Sequence, residues 1–358
     1  MKQLCMAILV IAALTVGASA ADIPMELEKA LPERAEELLR DADISGVDGL
    51  SGGVGNILDW MASQVQAIFR QRVKGAAAVL LVVVLCSAVD GFYQGASSKT
   101  TLFLPMVGAL SVTVAAAGSL DTLIGLGAET IDQLSIFSEV LLPTLAAATA
   151  ASGAIATATV QQVTTVLFVD LLLRLIDGLL LPLVYLYIGV LTASAMLPEN
   201  RLNAIADALK KVIVWILTTA LLVFTLYLSM ARVISGSADG MTVKVAKTAI
   251  SGVIPVVGGI ISEASETVLA GAGMLKNTIG VFGTLAILAA CAYPFLQLGI
   301  QYLLYKLTAF LAATVGAPGL CKLIDGLGGA FGLVLGMTGA CALLLLISVL
   351  SSVAAVVP

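Results

Sequence analysis

The side chains that could do chemistry in this sequence are few, and most of them stand in apolar surroundings. Asp170, Arg174 and Asp177 recur at i, i+4 and i+7, which sets all three on one helix face where they can neutralise one another. Glu263 and Glu266 follow an apolar segment too short for an ordinary span, and Lys276 and Asn277 precede another long apolar run. Charge at membrane depth is costly, so such groups face protein or water rather than lipid. Two readings of Asp170, Arg174 and Asp177 stand side by side: a structural ion pair at an interface, or the lining of a substrate or ion route. Glu263, Glu266, Lys276 and Asn277 read as candidate pore-lining or gating residues.

The same inventory excludes much enzymology. The chain has no histidine, which removes Ser–His triads, HExxH zinc sites and imidazole proton relays. Cys86, Cys291 and Cys341 sit inside apolar runs, Cys321 stands beside Lys322, and none has CxxC spacing. They read as small buried hydrophobes rather than metal or redox ligands. No catalytic residue, metal site or cofactor is expected, and the chain reads as a non-enzyme. Net charge is −5 with no basic stripe, which argues against a nucleic-acid partner.

The elements that must position these groups follow from composition. The 358 residues are 59% hydrophobic and 11% charged, with a mean hydropathy of +1.07. Uncharged runs at 140–169, 178–198, 212–231, 281–305 and 326–358 reach the roughly 20 residues a bilayer span needs. The fold class is therefore an all-α polytopic membrane protein, a helical bundle of about six to eight spans with the lipid bilayer as its solvent.

Residues 1–20 carry Lys2, a short apolar core and Ala18-Ser19-Ala20, the pattern of a signal peptide, which sets the mature N-terminus outside the cytoplasm. Residues 21–74 form an extracytoplasmic polar and amphipathic helical segment, with a Gly/Asp/Ser-rich linker at 41–55. Residues 75–211 and 212–358 form two membrane halves. The acidic stretch 121–139 reads as an external loop, and 140–160 as one span. Along that span Ala146, Ala150, Ala154 and Ala158 make a packing stripe, and Gly328, Gly332 and Gly336 make another in the last span. Pro105, Pro255, Gly258 and Gly259 are the expected helix breaks.

The halves echo each other. Asp90-Gly91 pairs with Asp239-Gly240, Leu104-Pro105 with Ile254-Pro255, and Ile176-Asp177-Gly178 with Ile324-Asp325-Gly326, at a steady offset of about 150 residues. If 102–120 and 250–269 both cross, the halves have four spans each and are parallel. If both are re-entrant, the halves have three spans each and are inverted. The positive-inside rule favours the first, and Glu263 and Glu266 favour the second.

Ser237-Ala238-Asp239-Gly240, Ile254-Pro255-Val256-Val257-Gly258-Gly259 and Leu275-Lys276-Asn277-Thr278-Ile279-Gly280 resemble the stage III sporulation protein AE family. The resemblance implies a membrane subunit of the channel or secretion-like complex that connects mother cell and forespore after engulfment. Its partners would be the other membrane subunits of that complex, and its place the mother-cell membrane around the forespore. The resemblance carries no catalytic residues. Two other readings stand beside it: a stand-alone secondary transporter with a midplane site between the halves, and a structural scaffold for other channel subunits.

Overall fold

The computed structural model describes residues 23–39, 46–93, 100–197, 202–253, 258–315 and 318–354. The expected signal peptide and Pro255 lie outside the described residues, as do the side chains of Glu263 and Glu266. Every regular element among the described residues is helical. Two short helices, α1 (Met25–Lys29) and α2 (Glu33–Leu39), flank Pro32, which cannot continue a preceding helix but starts one freely. The long elements are α3 (Gly46–Tyr93), α4 (Thr100–Ala151), α5 (Ile155–Leu175), α6 (Leu181–Met196), α7 (Asn203–Val253), α8 (Gly258–Val315) and α9 (Pro318–Val353). A π-helical turn at Ile176–Leu180 joins α5 to α6. Five described helices are long and apolar enough to cross a membrane, and the α5–α6 segment makes a further pass along the bundle.

Several polar stretches expected as connectors are helical. Residues 46–55 of the expected linker open α3, and the expected loop 121–139 is the middle of α4. Pro105 does not break a helix; it sits inside α4 together with Pro143. The expected span 140–160 is interrupted instead at Ser152-Gly153-Ala154. Gly153 takes φ 96°, donates its N–H to Ala150 O at 3.0 Å, and Ala154 donates to Thr149 O at 3.3 Å. This is a Schellman turn, whose left-handed residue is nearly always glycine. Ala154 therefore starts α5 rather than extending a stripe from Ala146 and Ala150. Gly258 and Gly259, expected as breaks, are the first helical residues of α8; residues 254–257 before them lie outside the described residues. The repeat at an offset near 150 is not confirmed: Pro105 lies within a helix, and its expected counterpart Ile254-Pro255 lies outside the described residues.

Neighbour contacts give each helix its sense. A methyl on Gly328 would meet Tyr305 and one on Gly332 would meet Tyr302, so α9 runs antiparallel to α8. Gly108 lies against Leu320 and Gly127 against Val334, so α4 runs with α9. Thr165 pairs with Ser348 and Tyr187 with Gly326, so α5 and α6 together run against α9. The core centres on α8 and α9, with Phe282, Leu285, Phe331, Val334 and Met337 buried. Gly336 faces open space and is no part of that seam, whereas Gly328 and Gly332 are.

These contacts also register the helices in height. Val169 of α5 shares a small cavity with Leu134 of α4 and Leu344 of α9. The adjacent Phe168 packs at a tilt against Phe224 of α7 with ring centroids 5.2 Å apart. The apolar outer face of α7, with exposed Trp215, Leu222 and Leu226, thus lies level with the acidic stretch of α4. There Asp121, Glu129, Asp132 and Glu139 are all exposed. One flank of the bundle is apolar and another is acidic at the same depth.

Candidate functional site

Four polar side chains, Tyr293, Gln297, Gln301 and Tyr305, recur every fourth residue along α8, each adjacent to the next in a file that winds slowly round the helix. They lie in the uncharged run 281–305, and Gln297, Gln301 and Tyr305 are almost completely buried. At one end, Arg72 of α3 donates its Nε–H to Gln297 Oε1 at 2.7 Å. Gln297 then donates its amide to the Tyr293 hydroxyl at 2.9 Å. Arg34 of α2 places its guanidinium 3.8 Å from the centre of the Tyr293 ring, a cation–π contact that ties the N-terminal segment to the file. At the other end, the Gln301 amide and the Tyr305 hydroxyl are buried near one another without a well-formed hydrogen bond among the described residues. Tyr305 packs edge-on against Phe331 with centroids 5.1 Å apart.

Leaving such groups unpaired costs about 1–3 kcal/mol each, so a file like this is a place for ordered water or a polar ligand atom. The chemistry it offers is hydrogen bonding and charge stabilisation by Arg72. It is built from neutral polar residues and one arginine, and holds no nucleophile–base pair.

Three further polar joints fix the helices around it. Gln161 of α5 donates to Ser351 at 2.9 Å and accepts from Ser352 at 2.8 Å. Tyr187 of α6 donates its hydroxyl to the Gly326 carbonyl at 3.0 Å. Asp239 of α7, buried, accepts the backbone N–H groups of Ala156 and Thr157 at 2.8 and 2.9 Å. Ala154, at the N-cap of α5, has no side-chain oxygen, so Asp239 caps α5 from across the interface.

The described residues among those singled out from sequence are not gathered into one site. Asp170 and Arg174 form an ion pair at 3.0 Å on the exposed face of α5, and Asp177 is exposed on the π-helical turn that follows. Lys276 is buried and Asn277 exposed near the other end of α8, one turn before Gly280, which packs on Val353 at the end of α9. Asp170 instead neighbours the Val169–Leu344 level. The file through Arg72 and Gln297 was not singled out, because counting charges passes over neutral polar residues. The four-residue spacing of Tyr, Gln, Gln and Tyr was its visible signal.

The sequence pattern of stage III sporulation protein AE matches residues 46–356. A protein named stage III sporulation protein AE, from Bacillus subtilis (strain 168), is 23% identical over 274 residues, covering 75% of this chain and 68% of that protein. No solved structure matches. A match spanning α3 to the end of α9 takes in every long helix described above, and the chain belongs to the stage III sporulation protein AE family.

Proposed function

We propose that this chain is a non-enzymatic membrane subunit of a channel or secretion-like complex that joins mother cell and forespore, and that sporulation requires it after engulfment. It would reside in the mother-cell membrane around the forespore with its mature N-terminus outside the cytoplasm. Family membership supports the sporulation role. The observation that carries the subunit reading is the acidic face of α4 level with the apolar face of α7. Lipid cannot solvate exposed Asp121, Glu129, Asp132 and Glu139 at that depth, so neighbouring subunits or an aqueous passage must cover them.

A scaffold role is the second reading, favoured by the tight burial of α8 and α9. A stand-alone transporter draws less support, since Asp170, Arg174 and Asp177 of its midplane site stand on the exposed face of α5 and the turn after it. Two experiments test the proposal. A clean deletion should complete engulfment and then fail to yield spores; normal spore yield rejects the sporulation role. In the assembled complex, cysteines at Glu129 and Asp132 should react with a membrane-impermeant maleimide or crosslink to a partner, while cysteines at Leu222 and Leu226 do neither. Equal protection of all four, with no crosslinks, rejects the water-facing or partner-facing flank.

A further inference from the structure

A cleft of about 550 Å³ opens at the end of the bundle where α6 turns into α7 and α8 into α9. Lys210, Lys306 and Lys322 line it, with Tyr187, Asn203 and Asp325 among their neighbours. Lys306 is held: it pairs with Asp325 and lies 5.7 Å from the centre of the Tyr302 ring. Lys210 and Lys322 form no ion pair among the described residues, although Asp207 also borders the cleft. Three lysines against two aspartates leave the lining positive. Asn203 and Cys321 bring the first turns of α7 and α9 into the wall and Ala313 the last turn of α8, so the helix dipoles offset one another there and the lysines carry the positive charge.

The position of the cleft says what kind of anion belongs there. Each lysine stands at the same end of the longest uncharged run of its own helix: 212–231 in α7, 277–305 in α8 and 326–354 in α9. Directly beyond Lys211 the outer face of α7 turns apolar, with Val212, Val214 and Trp215 exposed, and Trp at that point is the residue expected at a membrane–water interface. Leu191, Ala309 and Phe310 give the cleft an apolar wall beside its charges. Basic pockets between membrane helices at such a level accept phosphate-bearing head groups.

We propose that this cleft binds a phosphate group, carried by an anionic phospholipid whose acyl chains run down the apolar face of α7. The proposal is independent of the channel reading. The purified, delipidated full-length chain in neutral detergent tests it by native mass spectrometry and thermal unfolding with added phosphatidylglycerol, phosphatidylcholine or inorganic phosphate. Phosphatidylglycerol should bind and raise Tm, and the other two should do neither. The double variant Lys210→Gln/Lys322→Gln should bind phosphatidylglycerol about 30-fold more weakly, the effect of removing two lysines near a membrane surface. Lys210→Arg/Lys322→Arg, and Lys74→Gln at an exposed position outside the cleft's lining, should bind as wild type. Equal binding of phosphatidylcholine, or undiminished binding by the glutamine variant, overturns the site. Equal stabilisation by inorganic phosphate overturns the lipid as its source. Should the glutamine variant fail to fold, a photoactivatable phosphatidylglycerol on the wild-type chain must label residues 187–215 or 306–326; label confined to other segments overturns the proposal.

Discussion

Replacing Asp239 by alanine removes the side-chain acceptor that, among the described residues, serves the first turn of α5. Two backbone donors lose a charged partner, Ala156 N–H at 2.8 Å and Thr157 N–H at 2.9 Å. Removing an N-cap costs about 0.5–2 kcal/mol, and a buried donor left unpaired costs about 1–3 kcal/mol. Thr157 and Asp239 are both buried, so water cannot readily take over and the upper part of these ranges applies, about 2–3 kcal/mol. If the loss is felt as local opening of the α5 N-terminus, amide exchange at Ala156 and Thr157 accelerates roughly 30- to 150-fold, at 1.36 kcal/mol per tenfold. Hydrogen–deuterium exchange on the detergent-solubilised chain, resolved to the peptide over 152–160, reads this directly. Asp239→Asn keeps one acceptor oxygen and should lie between wild type and alanine. Exchange within about twofold of wild type in Asp239→Ala would refute the cross-helix cap and the reasoning from these distances.

Three other perturbations follow from named contacts. Gly328→Ala puts a methyl 3.1 Å from Tyr305 Cβ and should destabilise by about 1–3 kcal/mol, whereas Gly336→Ala meets nothing within 4 Å and should be neutral or stabilising; thermal unfolding of the pair checks the seam. Gln297→Leu leaves Arg72 without its amide partner and should cost about 2 kcal/mol, while Arg72→Leu/Gln297→Leu recovers part of that loss, a coupling that a double-mutant cycle measures. Asp170→Ala and Arg174→Ala break an exposed helical pair and should change stability by no more than about 0.5 kcal/mol; a larger loss of stability would mean that the pair is covered in the assembled state.

How much of this was legible in the sequence depends on what each signal measures. Uncharged runs report the membrane class because burial of charge in lipid dominates every other term, and the all-helical architecture follows from that. Helix continuity is a different quantity. The stretch 121–139 looks like a loop because it carries four carboxylates, yet all four project from the exposed face of α4 while Leu123, Ile131, Leu134 and Phe137 bury the other face. The residue that does end the helix, Gly153, sits in a stretch of small, uncharged residues that reads as one span. The glycine seam failed at Gly336 for a geometric reason. A stride of four residues overshoots one helical turn by about 40°, so two strides carry Gly336 well away from the face that Gly328 presents to α8.

The number of spans could not be read from hydropathy because hydropathy has no height. Helices of 36 to 58 residues are roughly 55–90 Å long, against a hydrocarbon layer of ~30 Å. Each long helix can therefore carry its uncharged run at a different level. Gly108 against Leu320 sets the runs of α3 and α4 beside the first turns of α9, about twenty residues or roughly 30 Å from the middle of the α9 run. The runs of α7, α8 and α9 share one level, and the acidic middle of α4 is what faces outward there. A lone chain in a flat bilayer would expose carboxylates to lipid on that flank. The arrangement becomes affordable only when something other than lipid lies against α4, which is why the cysteine pair at Glu129 and Asp132 separates a subunit of an assembly from a self-sufficient membrane protein.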